Sequence, residues 1–132
     1  MKIRGTLLKF GAKNSVLDVI SSDCKIDIPE MVPFLWDFDF ERPPIGHAEV
    51  ERTDEGLIFT GEITDPKVIE MLTNTYDGKE CRGCGGHYYK VKRNGLGDVV
   101  QMELRSVSST YAPVNPDYKF EIVEEVNDEG NG

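Results

Sequence analysis

Residues 32–63 read VPFLWDFDFERPPIGHAEVERTDEGLIFTGEI, and the spacing of apolar residues in this stretch decides the fold class. Aromatic side chains occupy every second position from Phe34 to Phe40, which is the two-residue period of a half-buried strand. The prolines of ERPP end that strand, because proline has no N–H to donate to a sheet ladder. IGHAEVER and LIFTGEI then predict two further strands, joined by the turn TDEG.

Extended patterns continue on both sides of this stretch. KIRGTLLKF and CKIDI precede it, and GHYYKVKR, DVVQMELRSVSST and KFEIVEE follow it, with Asn94 and Gly95 expected to form the turn in NGLG. Short strands at close spacing favour a barrel over a flat sheet, because closure removes exposed edges. We therefore expect a mainly β (α+β) fold of roughly seven or eight strands. It would be a small closed or partly open β-barrel with Trp36, Phe38 and Phe59 largely buried.

One segment, TDPKVIEMLTNTYDG, has the pattern of a helix near residues 66–77. Asp65 can cap its first turn, and Pro66 suits the first helical position. Apolar residues then recur every three or four positions, as one buried helical face requires. Gly78 is expected to end the helix.

The chain has 132 residues and a formal net charge of −9. We expect a single domain over residues 1–126 and a disordered acidic, glycine-rich tail over 127–132. Phosphate backbones would repel such an acidic chain, so nucleic acid is not an expected partner. No apolar run is long enough for a secretory signal or a bilayer span, which predicts a soluble intracellular protein without a membrane partner. Three cysteines argue for reduced thiols.

The segment KECRGCGGHYYKV places Cys81, Cys84 and His87 at intervals of three. Four interpretations stay open: a metal knuckle, a redox pair, the nucleophile of a hydrolase, and a glycine turn with idle thiols. Zinc needs a fourth ligand, for which Cys24 or His47 could serve, but a zinc ribbon normally has a second Cys-x-x-Cys. A redox pair would begin a helix, whereas these glycines lead into a strand. We therefore expect no cofactor, with zinc as the alternative.

The order of these segments resembles the prohead (head-maturation) proteases of tailed bacteriophages, over roughly residues 5–123. Residues 32–63 resemble the central block of that family, and RGCGGHY resembles its Ser-x-Gly nucleophile segment. SVSSTYAPVNPDYKF is similar to its closing strand and Pro-Ala-Asn-Pro signature. The resemblance implies a small barrel like that of herpesvirus assemblins. It also implies a serine protease that cleaves scaffold and capsid subunits inside an immature head.

When the family's three catalytic residues are aligned with this sequence, two of the three positions hold a residue that cannot perform the role. Aligned on Asp39, the general base falls on Phe38, which cannot accept a proton. The nucleophilic serine falls on Cys84, which could attack as a thiolate if its pKa were lowered. The acidic residue of the later strand falls near Ser106, which carries no charge.

His47 and His87 are the remaining candidates for a base toward Cys84. In the expected hairpin of residues 34–40 with 45–52, one register places His47 opposite Phe38 and the next places it opposite Asp39. The sequence does not decide between them.

Three functions follow from this reading. The first is a phage or prophage head-assembly protein on the prohead-protease fold, without proteolytic activity, that binds capsid or scaffold subunits. Whether it does so as a monomer or as a homo-oligomer stays open. It would act in the cytoplasm of a bacterial host or in the prohead. The second is an active cysteine variant using Cys84 with His47 or His87. The third is a zinc-stabilised binding module.

Overall fold

The computed structural model describes residues 1–12, 19–76 and 80–123, with the side chains of positions 76, 80 and 81 outside that description. Within it, eight strands and one helix follow one another along the chain. They are β1 (Lys2–Lys9), β2 (Lys25–Asp27), β3 (Val32–Trp36), β4 (Gly46–Thr53), β5 (Gly56–Ile63), α1 (Pro66–Tyr76), β6 (Glu80–Arg93), β7 (Val99–Thr110) and β8 (Lys119–Ile122).

Seven of these strands close into a barrel. Hydrogen-bonded neighbours run from β7 through β3, β4, β5, β1, β8 and β6, and β6 pairs with β7 again. The second edge of β7 carries first β2 and then β3, both parallel to it. The ring of strands leaves no open edge along its circumference, which is the physical advantage of a barrel over a sheet. The expected small β-barrel with a single helix is confirmed.

The interior of the barrel is apolar and contains three phenylalanines, of which Phe34 contacts the other two. The ring centroids of Phe34 and Phe59 are 5.9 Å apart, and those of Phe34 and Phe120 are 5.6 Å apart in an edge-on arrangement. Such pairs add about 0.5–1.5 kcal/mol beyond the area they bury. The predicted burial of Phe59 is confirmed, whereas Trp36 and Phe38 are only half-buried.

Helix α1 begins where the sequence predicts. Asp65 Oδ1 accepts the backbone N–H of Lys67 at 2.9 Å, and Pro66 opens the first turn. Leu72 is fully buried and attaches the helix to the core. The expected stop at Gly78 lies outside the described residues, as does the tail at 127–132. No helix in the described ranges combines the length and hydropathy that crossing a bilayer requires.

Residues 34–40 do not form one continuous strand, which corrects the prediction. Strand β3 ends at Trp36, and the next two residues, Asp37 and Phe38, adopt left-handed φ angles of 53° and 55°. Such angles cost an L-residue roughly 1–2 kcal/mol, so other interactions must hold this turn. They come from β7, because Asp37 N–H donates to the Ser109 carbonyl at 3.0 Å and Phe38 N–H donates to Ser108 Oγ at 2.7 Å.

The turn between β6 and β7 also differs from the expected Asn-Gly hairpin. The loop covers residues 94–98, and Asn94 Oδ1 accepts the backbone N–H groups of Leu96 and Asp98. Gly97, not Gly95, has the left-handed φ of 87°. Asn94 therefore organises the turn through its side chain.

Candidate functional site

The outer face of the barrel at β6 and β7 corresponds to the place where the resemblance predicts catalysis. Paired residues of neighbouring strands project to the same side of a sheet. Gly85 pairs with Ser108, and Ser108 pairs on its other side with Leu35, so these three residues share the outer face. His87 and Ser106 form the next outward pair along the same two strands.

The turn after β3 folds over this face and covers it with an aromatic ring. A Cβ placed on Gly85 would lie 3.2 Å from Cζ of Phe38, so the Phe38 ring lies directly over the glycine. Ser108 is fully buried beneath the turn. The position expected to carry the base therefore holds a ring packed on backbone, and the residue facing it has no side chain.

Cys84 points away from this face and into the barrel. Its Sγ donates to the Thr6 carbonyl at 3.2 Å, and its side chain has no solvent exposure. Burial raises the pKa of the Cys84 thiol to about 12. At neutral pH the sulfur is therefore a protonated core atom, unlike a nucleophile, which needs a lowered pKa and access.

His47 does not lie opposite Phe38 or Asp39, so both registers expected for it are wrong. It pairs with Pro33 on β3 and with Glu62 on β5. Its neighbour Ala48 is fully buried, so the alternation of β4 puts His47 on the outer face. The barrel wall separates it from the inward Cys84 thiol.

His87 also projects outward, on the face opposite to the Cys84 thiol. Its ring lies between two aromatic rings, with centroid distances of 4.6 Å to Phe40 and 4.5 Å to Tyr89. Burial, together with the nearby positive charge of Arg105, lowers the pKa of His87. The structure therefore does not bring His87 and Cys84 together as the base and nucleophile that the sequence suggested.

The possible zinc ligands are not brought together either. Cys24 and Cys84 are free, buried thiols, and the Cys24 Sγ contacts the Lys25 carbonyl at 3.7 Å. The Cys81 side chain lies outside the described residues. Among those that are described, no three His, Cys, Asp or Glu side chains are arranged to hold a metal ion.

Arg82 is a site residue that the sequence reading missed. Its side chain is only 6% exposed, and its Nη2 lies 2.6 Å from Asp37 Oδ1. The guanidinium carbon lies 4.2 Å from the ring centroid of Trp36 and 3.9 Å from that of Tyr111. The signal was present, because Arg82 shares the two-residue period of the inward Cys84, and a buried arginine needs partners.

A row of side chains in ring contact continues along the outer face from the covered site. The His87 ring contacts Phe40 in a tilted arrangement and Tyr89 edge-on, and the Arg105 guanidinium lies 4.3 Å from the Tyr89 ring centroid. We call these four residues the aromatic ladder. Phe40 is 56% exposed and Tyr89 is 40% exposed. Contiguous exposed aromatic surface of this kind is typical of contact sites for other proteins.

Comparison with known proteins adds no relative, because no family model, no curated protein and no solved structure matches the chain.

Proposed function

We propose that this chain is a head-assembly protein of a tailed phage or prophage, built on a barrel of the prohead-protease type, that binds capsid or scaffold subunits without cleaving them. One observation carries the proposal: the Phe38 ring covers Gly85 while the Cys84 thiol points into the core. Hydrolysis by a nucleophile requires that residue and a base on the same accessible face. Here that face presents an aromatic ring and a glycine.

The architecture supports the resemblance from which this proposal starts. The resemblance implies a small barrel in which a helix follows a strand pair. The closed barrel, with α1 after the β4–β5 hairpin, has that arrangement. Fold alone does not assign a function, so the argument rests on the residues at the covered face.

An active cysteine protease is less consistent with the same geometry. A thiol with a pKa of about 12 holds its proton at neutral pH, and neither His47 nor His87 shares its side of the barrel wall. Nothing in the described residues favours a zinc-stabilised module over the binding role.

The aromatic ladder is the surface that we propose for docking. Binding energy at protein interfaces concentrates in aromatic and arginine side chains that lose water on contact. Tyr89 with Arg105 stacked on it provides that combination, and Phe40 extends the apolar surface. The partner would be a capsid or scaffold subunit in the host cytoplasm or the prohead.

The test is co-expression with a tailed-phage major capsid protein and its scaffold from the genomic neighbourhood of this chain. Complexes are separated by size-exclusion chromatography, and every subunit is weighed by intact-protein mass spectrometry. We expect co-elution with one of the two partners at their uncleaved masses. Cleaved partner subunits, or elution apart from both, would overturn the proposal.

A matched pair of variants tests whether the aromatic ladder is the docking surface. The double substitution Phe40→Ala with Tyr89→Ala should weaken binding by about 30-fold or more, the effect of losing an interface hot spot. Leu96→Ala changes an 87% exposed apolar residue in the β6–β7 loop, outside the ladder, and should leave binding unchanged. Equal binding by both variants would exclude the aromatic ladder as the docking surface.

A further inference from the structure

A cavity of about 380 Å³ lies between the end of β1, the β6–β7 pair and the segment that precedes β8. Its rim includes the exposed residues Val91, Arg93 and Ala112. Its volume is near the lower end of the range of roughly 300–1,000 Å³ found for small-molecule pockets. The buried part of its wall includes Leu7, Leu8, Ile20, Cys84, Val99, Met102 and Tyr118.

Local backbone features of β6 create this space. Gly85 and Gly86 line the cavity without side chains. The β6–β7 register shifts between His87 and Tyr88, and Tyr88 pairs with the fully buried Leu104, so it faces the interior. A Cβ on Gly86 would lie 2.6 Å from the Tyr88 hydroxyl oxygen. The hydroxyl therefore lies over the glycine, at the cavity wall.

The Tyr88 hydroxyl is a buried polar group that no described residue satisfies. It lies in the cavity wall with no hydrogen-bond partner among the described residues. Leaving such a group unpaired costs about 1–3 kcal/mol. Burial, followed by the nearby Tyr118 and cysteine side chains, raises the pKa of Tyr88, so the hydroxyl keeps its proton and can donate.

The charges at the cavity limit what could bind there. Arg93 is the one charged residue among those described in its lining, and its Nη1 donates to the Gly97 carbonyl at 3.0 Å. It belongs to the exposed rim, away from the buried apolar wall. A charge placed against the buried apolar wall, away from Arg93 at the rim, would lose its hydration without a counter-ion, which is costly.

We propose that this cavity binds a small, uncharged, mainly apolar molecule with one carbonyl or ether oxygen that accepts a hydrogen bond from Tyr88. An occupant on the order of ten non-hydrogen atoms fits, since one water takes about 30 Å³ of liquid volume. The apolar wall provides affinity, and the single donor provides orientation. No residue of the aromatic ladder lines the cavity, so this proposal does not depend on the docking role, although Phe38 and Cys84 do border the cavity.

Two probes of matched shape test the hydrogen bond. Ethylbenzene and acetophenone differ mainly in one carbonyl oxygen, and binding of each is measured by NMR titration of the ¹⁵N-labelled full chain. Acetophenone should bind the wild type about 3- to 10-fold more tightly than ethylbenzene, the value of one buried hydrogen bond. Tyr88→Phe should bind both probes equally, because only the hydroxyl is removed.

Two valine substitutions locate the site. Val114 lines the cavity, so Val114→Trp should fill it and abolish binding of both probes. Val100 is 39% exposed on β7 and is not among the lining residues, so Val100→Trp should bind like the wild type. Thermal unfolding of each variant establishes that it is folded.

Three results would overturn the proposal. They are no binding of either probe at millimolar concentration to folded wild type, preference for acetophenone that persists in Tyr88→Phe, and unchanged binding by folded Val114→Trp. Absence of binding would indicate that the cavity takes no such ligand or that the protein's own side chains fill it. The second would assign the oxygen to another donor.

Discussion

The guanidinium of Arg82 lies 2.6 Å from the carboxylate of Asp37, and this ion pair joins β6 to the turn after β3. Trp36 and Tyr111 hold the guanidinium between their rings, at 4.2 and 3.9 Å from the two centroids. The pair therefore helps to fix the left-handed turn at Asp37 and, through it, the position of the Phe38 ring over Gly85. The Arg82–Asp37 ion pair therefore both stabilises the fold and helps to keep the outer face covered by Phe38.

Arg82→Ala should lower the free energy of unfolding by about 2–4 kcal/mol, because it removes a nearly buried cation, two ring contacts and the partner of Asp37. The matched control is Arg42→Ala, which breaks an ion pair with Asp39 in which the arginine is 83% exposed. That control should cost at most about 1 kcal/mol. Urea unfolding measures both, and equal losses would contradict the structural role of Arg82.

Gly46→Ala should destabilise the barrel by at least about 2 kcal/mol, because overpacking forces the backbone to move. A Cβ at position 46 would collide with the Glu62 carbonyl across the β4–β5 ladder. Gly95→Ala is the control, since a Cβ there meets no atom within 4 Å, and it should stay within about 0.5 kcal/mol of wild type. Urea unfolding compares the two, and a tolerated Gly46→Ala would indicate a looser β4–β5 pair.

Much of the fold is local information and was predictable. Alternating residues predict the strands, the acidic cap and proline predict the start of α1, and short strands at close spacing favour a closed barrel. The break after Trp36 was not predictable, because it depends on hydrogen bonds to Ser108 and Ser109, some 70 residues later in the chain. A two-residue period does not predict where partners on a distant strand bend the backbone into a turn.

The candidate site was less predictable than the fold. Whether Cys84 faces the core or the solvent depends on the register of β6 against β7, and a shift by one residue reverses every side chain. The expected pairing of His47 with Phe38 or Asp39 was wrong because β3 ends at Trp36, and His47 pairs with Pro33 instead. The resemblance placed the family's base position at Phe38, and that the Phe38 ring packs over Gly85 was not predictable from the sequence.

The pKa of His87 should lie below the usual value of about 6.5 in an NMR titration of its ring protons. Burial is the main cause and the charge of Arg105 adds to it, so Arg105→Gln should raise the pKa part of the way back. The exposed Arg42→Gln should leave it unchanged. An unshifted pKa of His87 in the wild type would contradict the position of its ring between Phe40 and Tyr89.

The same shift predicts a pH dependence of stability. The unfolded histidine takes up its proton near its usual pKa, before the folded one does, so falling pH favours the unfolded state in this window. His87→Asn should remove that contribution. The measurement is the difference in urea midpoint between wild type and variant at pH 7.5 and pH 5.5, which should be larger at pH 7.5.

Cys84 should react with iodoacetamide much more slowly than an ordinary thiol. Its pKa of about 12 leaves almost no thiolate at pH 7 to 9, and its side chain, which borders the cavity, has no solvent exposure. Peptide mass spectrometry of native and urea-unfolded protein measures the modification, the unfolded sample serving as the control. Rapid alkylation of the native protein below pH 8.5 would show an accessible, activated thiol and would restore the cysteine-protease hypothesis.

The raised pKa also predicts how stability changes in base. Above about pH 8.5 the unfolded thiol loses its proton while the folded thiol keeps it, so unfolding becomes more favourable until pH reaches about 12. At pH 9.5 this contribution is on the order of 1 kcal/mol. Cys84→Ala is less stable than wild type at pH 7, because it loses the contact with the Thr6 carbonyl and leaves a small void. That deficit should shrink by about 1 kcal/mol at pH 9.5. A deficit that stays constant between the two pH values would mean that the thiol titrates alike in the folded and unfolded states, and that its burial in the barrel is wrong.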